Sequence, residues 1–93
     1  MEEVQRVRIP KGREVLGIVE ARLGGNKLRV RCQDNKTRIC RIPGRFKRHL
    51  WIGVNDVIIV EPWEIHGDER GDAIWKYSKV QENWLRKNNI LKL

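Results

Sequence analysis

KLRVRCQDNKTRICRI, residues 27–42, alternates apolar and basic side chains on both sides of a short polar turn. Leu28, Val30 and Cys32 fall on one side of a strand of period two, and Lys27, Arg29, Arg31 and Gln33 fall on the other. Asp34-Asn35-Lys36 turns the chain, because Asp and Asn side chains bond their own backbone there. In the return strand Cys40 and Ile42 take the inner face, and Ile39 and Arg41 the outer one. Folding this hairpin brings Cys32 toward Cys40 and sets Arg29, Arg31 and Arg41 on one shared face.

Working outward, the same period recurs on both sides. Val15, Gly17, Val19, Ala21 and Leu23 alternate with Glu14, Glu20 and Arg22. Leu16 and Ile18 break the alternation, and Gly17 suggests a bulge or bend between them. Gly24-Gly25-Asn26 is a tight turn. Downstream, Pro43-Gly44 ends the third strand, and residues 45–50 form a basic connector with room for one helical turn. Asn55-Asp56 starts a fourth strand, Val57 to Trp63, and residues 67–72 read as an exposed acidic loop. A fifth strand follows from Ala73 to Tyr77. Ser78 with Gln81 matches a capping box, opening a helix of about ten residues with Val80, Trp84 and Leu85 against the barrel.

The expected fold is therefore mainly β: a five-stranded OB-type barrel with a short C-terminal helix. Residues 1–12 read as a flexible arm, 13–80 as the barrel, and 81–93 as a helix and short tail packed on it. Ninety-three residues suffice for one compact domain. No apolar run approaches the roughly 20 residues that span a membrane, and the start lacks the apolar segment of a signal peptide. Cys32 and Cys40 read as reduced core thiols of a cytoplasmic protein.

Charge points to a partner. Twenty Lys and Arg against twelve Asp and Glu give +8. The excess is polarised. Lys27, Arg29, Arg31, Lys36, Arg38, Arg41, Arg45, Lys47 and Arg48 crowd one stretch in which Asp34 is the sole acid. Between residues 61 and 72 the sign reverses, with Glu61, Glu64, Asp68, Glu69 and Asp72 against Arg70. A merely solvated face would mix signs. This one would attract phosphate and hold it by counterion release, and Arg adds bidentate contacts and stacking. Trp51 should face outward if Ile52 faces the core, free to stack on a base or meet a protein. Trp63 and Trp75 read as core or barrel-end packing, Trp84 as the helix anchor and Phe46 as an inward anchor of the connector. The outer positions of the second and third strands carry Arg, Ile and Thr instead of an aromatic ladder, which favours recognition of RNA backbone and shape over single-strand stacking.

Catalytic constellations are not apparent. His49 and His66 lack metal-ligand spacing with each other or with the acidic loop. Cys32 alternates with core residues, where a thiol is inert. There is no phosphate-cradling glycine loop.

The chain from Gly12 to the C-terminal helix resembles archaeal translation initiation factor 1A, and more distantly its eukaryotic counterpart and bacterial initiation factor 1. The residues that carry the resemblance are 14–20 (EVLGIVE), Leu28, Val30, Cys32 and Asp34, then 37–52 (TRICRIPGRFKRHLWI) and 55–60 (NDVIIV). The resemblance implies a non-catalytic protein without cofactor or metal. It implies binding to the small ribosomal subunit near the aminoacyl-tRNA site, on rRNA and beside a ribosomal protein, promoting recruitment of initiator tRNA and mRNA. Arg45, Lys47, Arg48 and Trp51 match the family's basic connector, and Arg29, Arg31, Arg38 and Arg41 its basic barrel face. The full RNA-binding expectation is Lys27, Arg29, Arg31, Lys36, Arg38, Arg41, Arg45, Lys47, Arg48 and Trp51, in a monomer with no membrane partner. Two departures stand out: Asn55-Asp56 replaces a common Gly-Asp, and long eukaryotic-type tails are missing. The end, Ile90-Leu91-Lys92-Leu93, is apolar enough to dock on another initiation factor, such as the subunit-joining GTPase, or to pack on its own barrel. Rival readings are a general single-stranded RNA binder or chaperone of cold-shock type, an RNA-processing enzyme, and a protein-interaction module with incidental charge.

Overall fold

The computed structural model describes residues 7–46 and 51–93, Phe46 by its backbone alone. Five strands run in chain order: β1 (Val15–Leu23), β2 (Lys27–Cys32), β3 (Thr37–Arg41), β4 (Val57–Pro62) and β5 (Arg70–Lys76). A 3-10 turn, Gly44–Phe46, follows β3, and one helix, α1 (Lys79–Lys87), follows β5. The strands close into a barrel in the order β1-β2-β3-β5-β4. All pairings are antiparallel except β3 with β5, which is parallel and pairs Ile39 with Arg70, Cys40 with Gly71, and Arg41 with Asp72. This is the expected OB-type barrel with its C-terminal helix.

The turns lie where Asn residues mark them. Asn26, Asn35 and Asn55 adopt φ of 60°, 69° and 75°, a left-handed conformation that Asn tolerates better than most side chains. The β2–β3 hairpin keeps the expected alternation: Leu28, Val30 and Cys32 are buried and Lys27, Arg29 and Arg31 exposed. Cys40 is opposite Leu28 rather than Cys32. The two thiols share the barrel core without being cross-strand neighbours, and both are free.

β1 and β4 break the alternation because they bury both faces. Val19, Ile58 and Val60 fill the barrel, with Val15 beside them. Leu16, Val57 and Ile59 fill a second core with Ile74, Tyr77, Leu85 and Leu91, on the side covered by the helix. Gly17 has a different role from the one expected. The β1 bulge falls between Val19 and Ala21, whereas Gly17 lets β2 approach closely: a Cβ there would stand 2.5 Å from Val30 Cγ1.

Ser78 caps α1 with the expected box. Gln81 N donates to Ser78 Oγ at 3.2 Å, and Ser78 N to Gln81 Oε1 at 2.9 Å. Leu85 is fully buried and Trp84 packs beside it. Val80, expected to pack as well, is 54% exposed, and Glu82 is buried in its place. The helix docks by the side that carries Glu82 and Leu85, which turns Val80 outward. Beyond it the chain folds back. Gln33 Nε2 donates to Ile90 O at 2.9 Å, and Lys92 N donates to Gln33 Oε1 at 2.8 Å. Leu91 is thereby buried and Ile90 and Leu93 are packed against the second core. Residues ahead of β1 also touch this side. Val7 joins the second core, Arg8 pairs with Glu14 at 3.3 Å, and Tyr77 Oη donates to the Arg8 carbonyl.

Replacing Gly17 by Ala should lower the urea-unfolding free energy by about 1–3 kcal/mol, the usual result of forcing a methyl into a filled interior. Gly24→Ala, with open space around the new methyl, should stay within about 0.5 kcal/mol of the parent.

Candidate nucleic-acid interface

Register assembles the basic face. Lys27 stands opposite Arg41, Arg29 opposite Ile39, and Arg31 opposite Thr37, all on the outer side of the hairpin. Two rows therefore present three cations along β2 and one at the end of β3. Arg29 and Arg41 side chains are 49% and 57% exposed. Lys36 extends the face at the turn, and Arg45 stands exposed in the 3-10 turn beyond β3. Lys47, Arg48, His49 and the Phe46 side chain lie outside the described residues. Trp51 is 78% exposed while Ile52 beside it is buried, as the alternation requires. Its carbonyl accepts from Lys76 Nζ, which also pairs with Asp56 at 3.3 Å.

Arg38 departs from the expected face. It is 2% exposed, on the same side of β3 as Cys40. Its Nη1 and Nη2 donate to the two oxygens of Asp34 at 3.0 and 2.8 Å, and its Nε donates to the Gly67 carbonyl. The guanidinium thus ties the β2–β3 turn to the β4–β5 segment and does not belong to the exposed row. The Asp34 carboxyl lies below its usual value, chiefly because Arg38 bonds its ionised form. Burial pushes the Cys32 thiol up and the Cys40 thiol up to about 12, so both are poor nucleophiles in the folded chain.

The stretch expected as an exposed acidic loop is partly strand. Arg70 to Asp72 belong to β5, and Gly71 is buried so closely that a Cβ would meet Val60 Cγ1 at 2.7 Å. Strand β5 carries Asp72 onto the basic face, and the turn before it brings Asp68. Asp72 pairs with Arg41 at 3.4 Å and Asp68 with Lys36 at 3.5 Å. Glu20 of β1 pairs with Arg29 at 3.5 Å. Lys27 and Arg31 have no carboxylate within pairing distance among the described residues.

Trp63 and Trp75 are on the surface rather than in the core, at 37% and 36% exposure. Trp75 lies under the Arg8 guanidinium, 5.6 Å from ring centre. Trp63 is the residue that strand-by-strand reading missed. The end of β4 brings it beside β3, where Arg41 lies 5.7 Å from its ring centre and its Nε1 donates to Asp72 at 3.0 Å. With Lys27, Ile39 and Arg70 it lines a shallow hollow on the basic face. The available signal was its position after Pro62, which stops β4 and frees the next side chain. No group of three or more His, Cys, Asp or Glu could hold a metal ion among the described residues. Nor is any helix among them long and apolar enough to cross a membrane.

A closed five-stranded barrel with a basic hairpin on its outer surface defines a small OB-fold protein. Comparison with known proteins gives the family. The profile of translation initiation factor 1A / IF-1 matches residues 4–92. Translation initiation factor 1A of Methanothermobacter thermautotrophicus is 45% identical over 92 residues, covering 99% of this chain and 93% of that one. The factor of Methanococcus maripaludis strain C7 is 50% identical over 88 residues, covering 92% and 85%. Among solved structures, translation initiation factor IF-1 from the wolbachia endosymbiont of Brugia malayi matches with a TM-score of 0.57 at 23% identity, over 88% of this chain and 94% of that chain. YjeQ from Thermotoga maritima matches with a TM-score of 0.56 at 22% identity, over 70% of this chain but only 23% of that protein. Both structural likenesses concern the fold alone. The chain belongs to the translation initiation factor 1A / IF-1 family, whose members are non-enzymatic factors of protein synthesis.

The Asp34–Arg38 pair predicts a specific acid response. Because the Asp34 carboxyl is lowered in the folded state, its stabilisation is complete above the ordinary 3.8 and is lost as pH falls through the lowered value. Asp34→Asn should therefore melt below the parent at pH 7, and the gap should close as both are taken toward pH 2.

Proposed function

We propose that this chain docks on the small ribosomal subunit near the aminoacyl-tRNA site and promotes recruitment of initiator tRNA and mRNA. The observation that carries the site is the exposed hairpin face, where Lys27, Arg29 and Arg31 of β2 stand against Arg41 of β3. Lys36 and Arg45 extend it, Lys47 and Arg48 continue the basic run in sequence, and Trp51 supplies an exposed aromatic after that run. Arg38 serves this surface from beneath, by holding the hairpin turn. Such a face binds by phosphate contacts and shape. Thr37 and Ile39 occupy the outer positions of β3 where a cold-shock type binder would place stacking aromatics, so folded rRNA is the better target.

The working form is a monomer in the cytoplasm, seated on rRNA beside a ribosomal protein. Contact with other initiation factors, including the subunit-joining GTPase, would use what remains open of the C-terminal segment, where Ile90 and Leu93 are half-buried. Leu91, the most apolar-seeming hook of the C-terminal segment, is already buried.

Two sets of substitutions test the assignment: Lys27→Ala with Arg31→Ala, and Arg45→Ala with Lys47→Ala and Arg48→Ala. Each should weaken co-sedimentation with small subunits while circular dichroism still reports the barrel. The log–log salt slope of binding should flatten by roughly 0.7–0.9 for each phosphate that the variant no longer neutralises. Unchanged affinity in both sets would place the docking surface elsewhere, and failure to compete with tRNA at the aminoacyl site would remove the proposed location.

A further inference from the structure

Three cations of the basic face already meet carboxylates of the same chain; Arg29 pairs with Glu20 of β1 at 3.5 Å, and the other two pair with acids of the segment around the start of β5. Arg41 faces Asp72 at 3.4 Å and Lys36 faces Asp68 at 3.5 Å. The carboxylates do not reach the face by chance of a floppy loop. Ile39 N donates to Glu69 O at 2.9 Å, Trp63 N donates to Arg70 O at 3.1 Å, and Arg38 grips the Gly67 carbonyl. Trp63 Nε1 donates at 3.0 Å to Asp72 Oδ1, the same oxygen that Arg41 meets, while its ring lies against Arg41. The segment that closes the barrel is thus the segment that brings acids to the cations.

We propose that Asp68 and Asp72 act as a built-in phosphate surrogate, an autoinhibitory contact that suppresses binding of arbitrary single-stranded RNA to the basic face. A phosphate arriving at Arg41 or Lys36 must displace a carboxylate and so gains little net neutralisation there. A flexible single strand, which binds through its backbone alone, has nothing to offset that competition. A rigid RNA surface presents many phosphates at once, including those opposite Lys27 and Arg31, which no carboxylate covers among the described residues, and overrides it. Exposed ion pairs are individually weak, so the device grades affinity and does not lock the face. The inference rests on the docking reading above for its purpose, but the contact itself acts on any RNA.

The test measures binding of the full chain to a uridine homopolymer by fluorescence anisotropy across a salt series. Asp72→Asn and Asp68→Asn are compared with Asn83→Lys, which raises the net charge by the same single unit but on the exposed surface of α1. The introduced amide oxygen at position 72 still accepts the bond from Trp63 Nε1, so thermal melts should show the barrel intact. Each Asp variant should bind the homopolymer about two- to fivefold more tightly at low salt, the range expected for releasing one exposed pair. Combined, they should steepen the log–log salt slope by roughly 1.4, or about 0.7 per phosphate newly neutralised on a single strand. Asn83→Lys should leave both unchanged. Small-subunit affinity should rise by a smaller factor than homopolymer affinity. Equal tightening by all three variants would reduce the effect to net charge and overturn the proposal, as would no tightening by the Asp variants. A parent chain that failed to bind small subunits would instead defeat the docking reading, while the homopolymer measurement still decided this one.

Discussion

The buried guanidinium of Arg38 joins three parts of the chain that are far apart in sequence. It rises from β3, is chelated by Asp34 at the end of the hairpin, and holds the carbonyl of Gly67 ahead of β5. Only three residue pairs, Ile39 with Arg70, Cys40 with Gly71 and Arg41 with Asp72, close the sheet at the β3–β5 seam. Parallel pairing is the weaker kind per residue, and so short a seam needs help. A charge buried to this depth is tolerable only when its donors are satisfied, and here they meet a carboxylate and a carbonyl. The same contact fixes the hairpin turn, and hence the direction in which Lys27, Arg29 and Arg31 project.

A second constraint is that β1 and β4 serve two cores. Their alternate residues point into the barrel and toward the helix, so Val57 to Val60 are buried without interruption. The hairpin β2–β3, by contrast, packs on one face only. That asymmetry is what leaves one side of the barrel available for a charged row. The helix, the Gln33 bridge and the returning residues Ile90 to Leu93 cover another side, where apolar residues would otherwise lie open.

Much of this was legible in the sequence, and the misses share a cause. Period-two alternation located β2 and β3 correctly, and Ser78 with Gln81 announced the helix start, because both signals are local. The parity that placed Cys40 and Ile42 inside also places Arg38 inside. Its charge argued the other way, and only the tertiary position of Asp34 and Gly67 resolves the conflict. Val80 lies outside its expected environment because α1 docks by the side that carries Glu82 and Leu85. Trp63 became part of the basic face through the β4–β5 arrangement, which no local pattern encodes. Asp68 and Asp72 read as loop acids for the same reason. Their role depends on a strand pairing with partners roughly thirty residues earlier in the chain, a distance over which sequence pattern is silent about register.

The strand order has a consequence for how the molecule comes into being. β1 lies between β2 and β4, so its second neighbour is synthesised long after its first. The barrel cannot shut until β5 has been added to the chain, and the second core stays open until Leu91 arrives after α1. A nascent chain therefore carries the β2–β3 hairpin, with Glu20 and Asp34 already in place, well before Asp68 and Asp72 exist to face Lys36 and Arg41. During that interval it is a basic, incompletely buried polypeptide emerging among polyanions. Native topology therefore cannot form by progressive growth from the first strand and waits on the pairing of β5 and the arrival of Leu91.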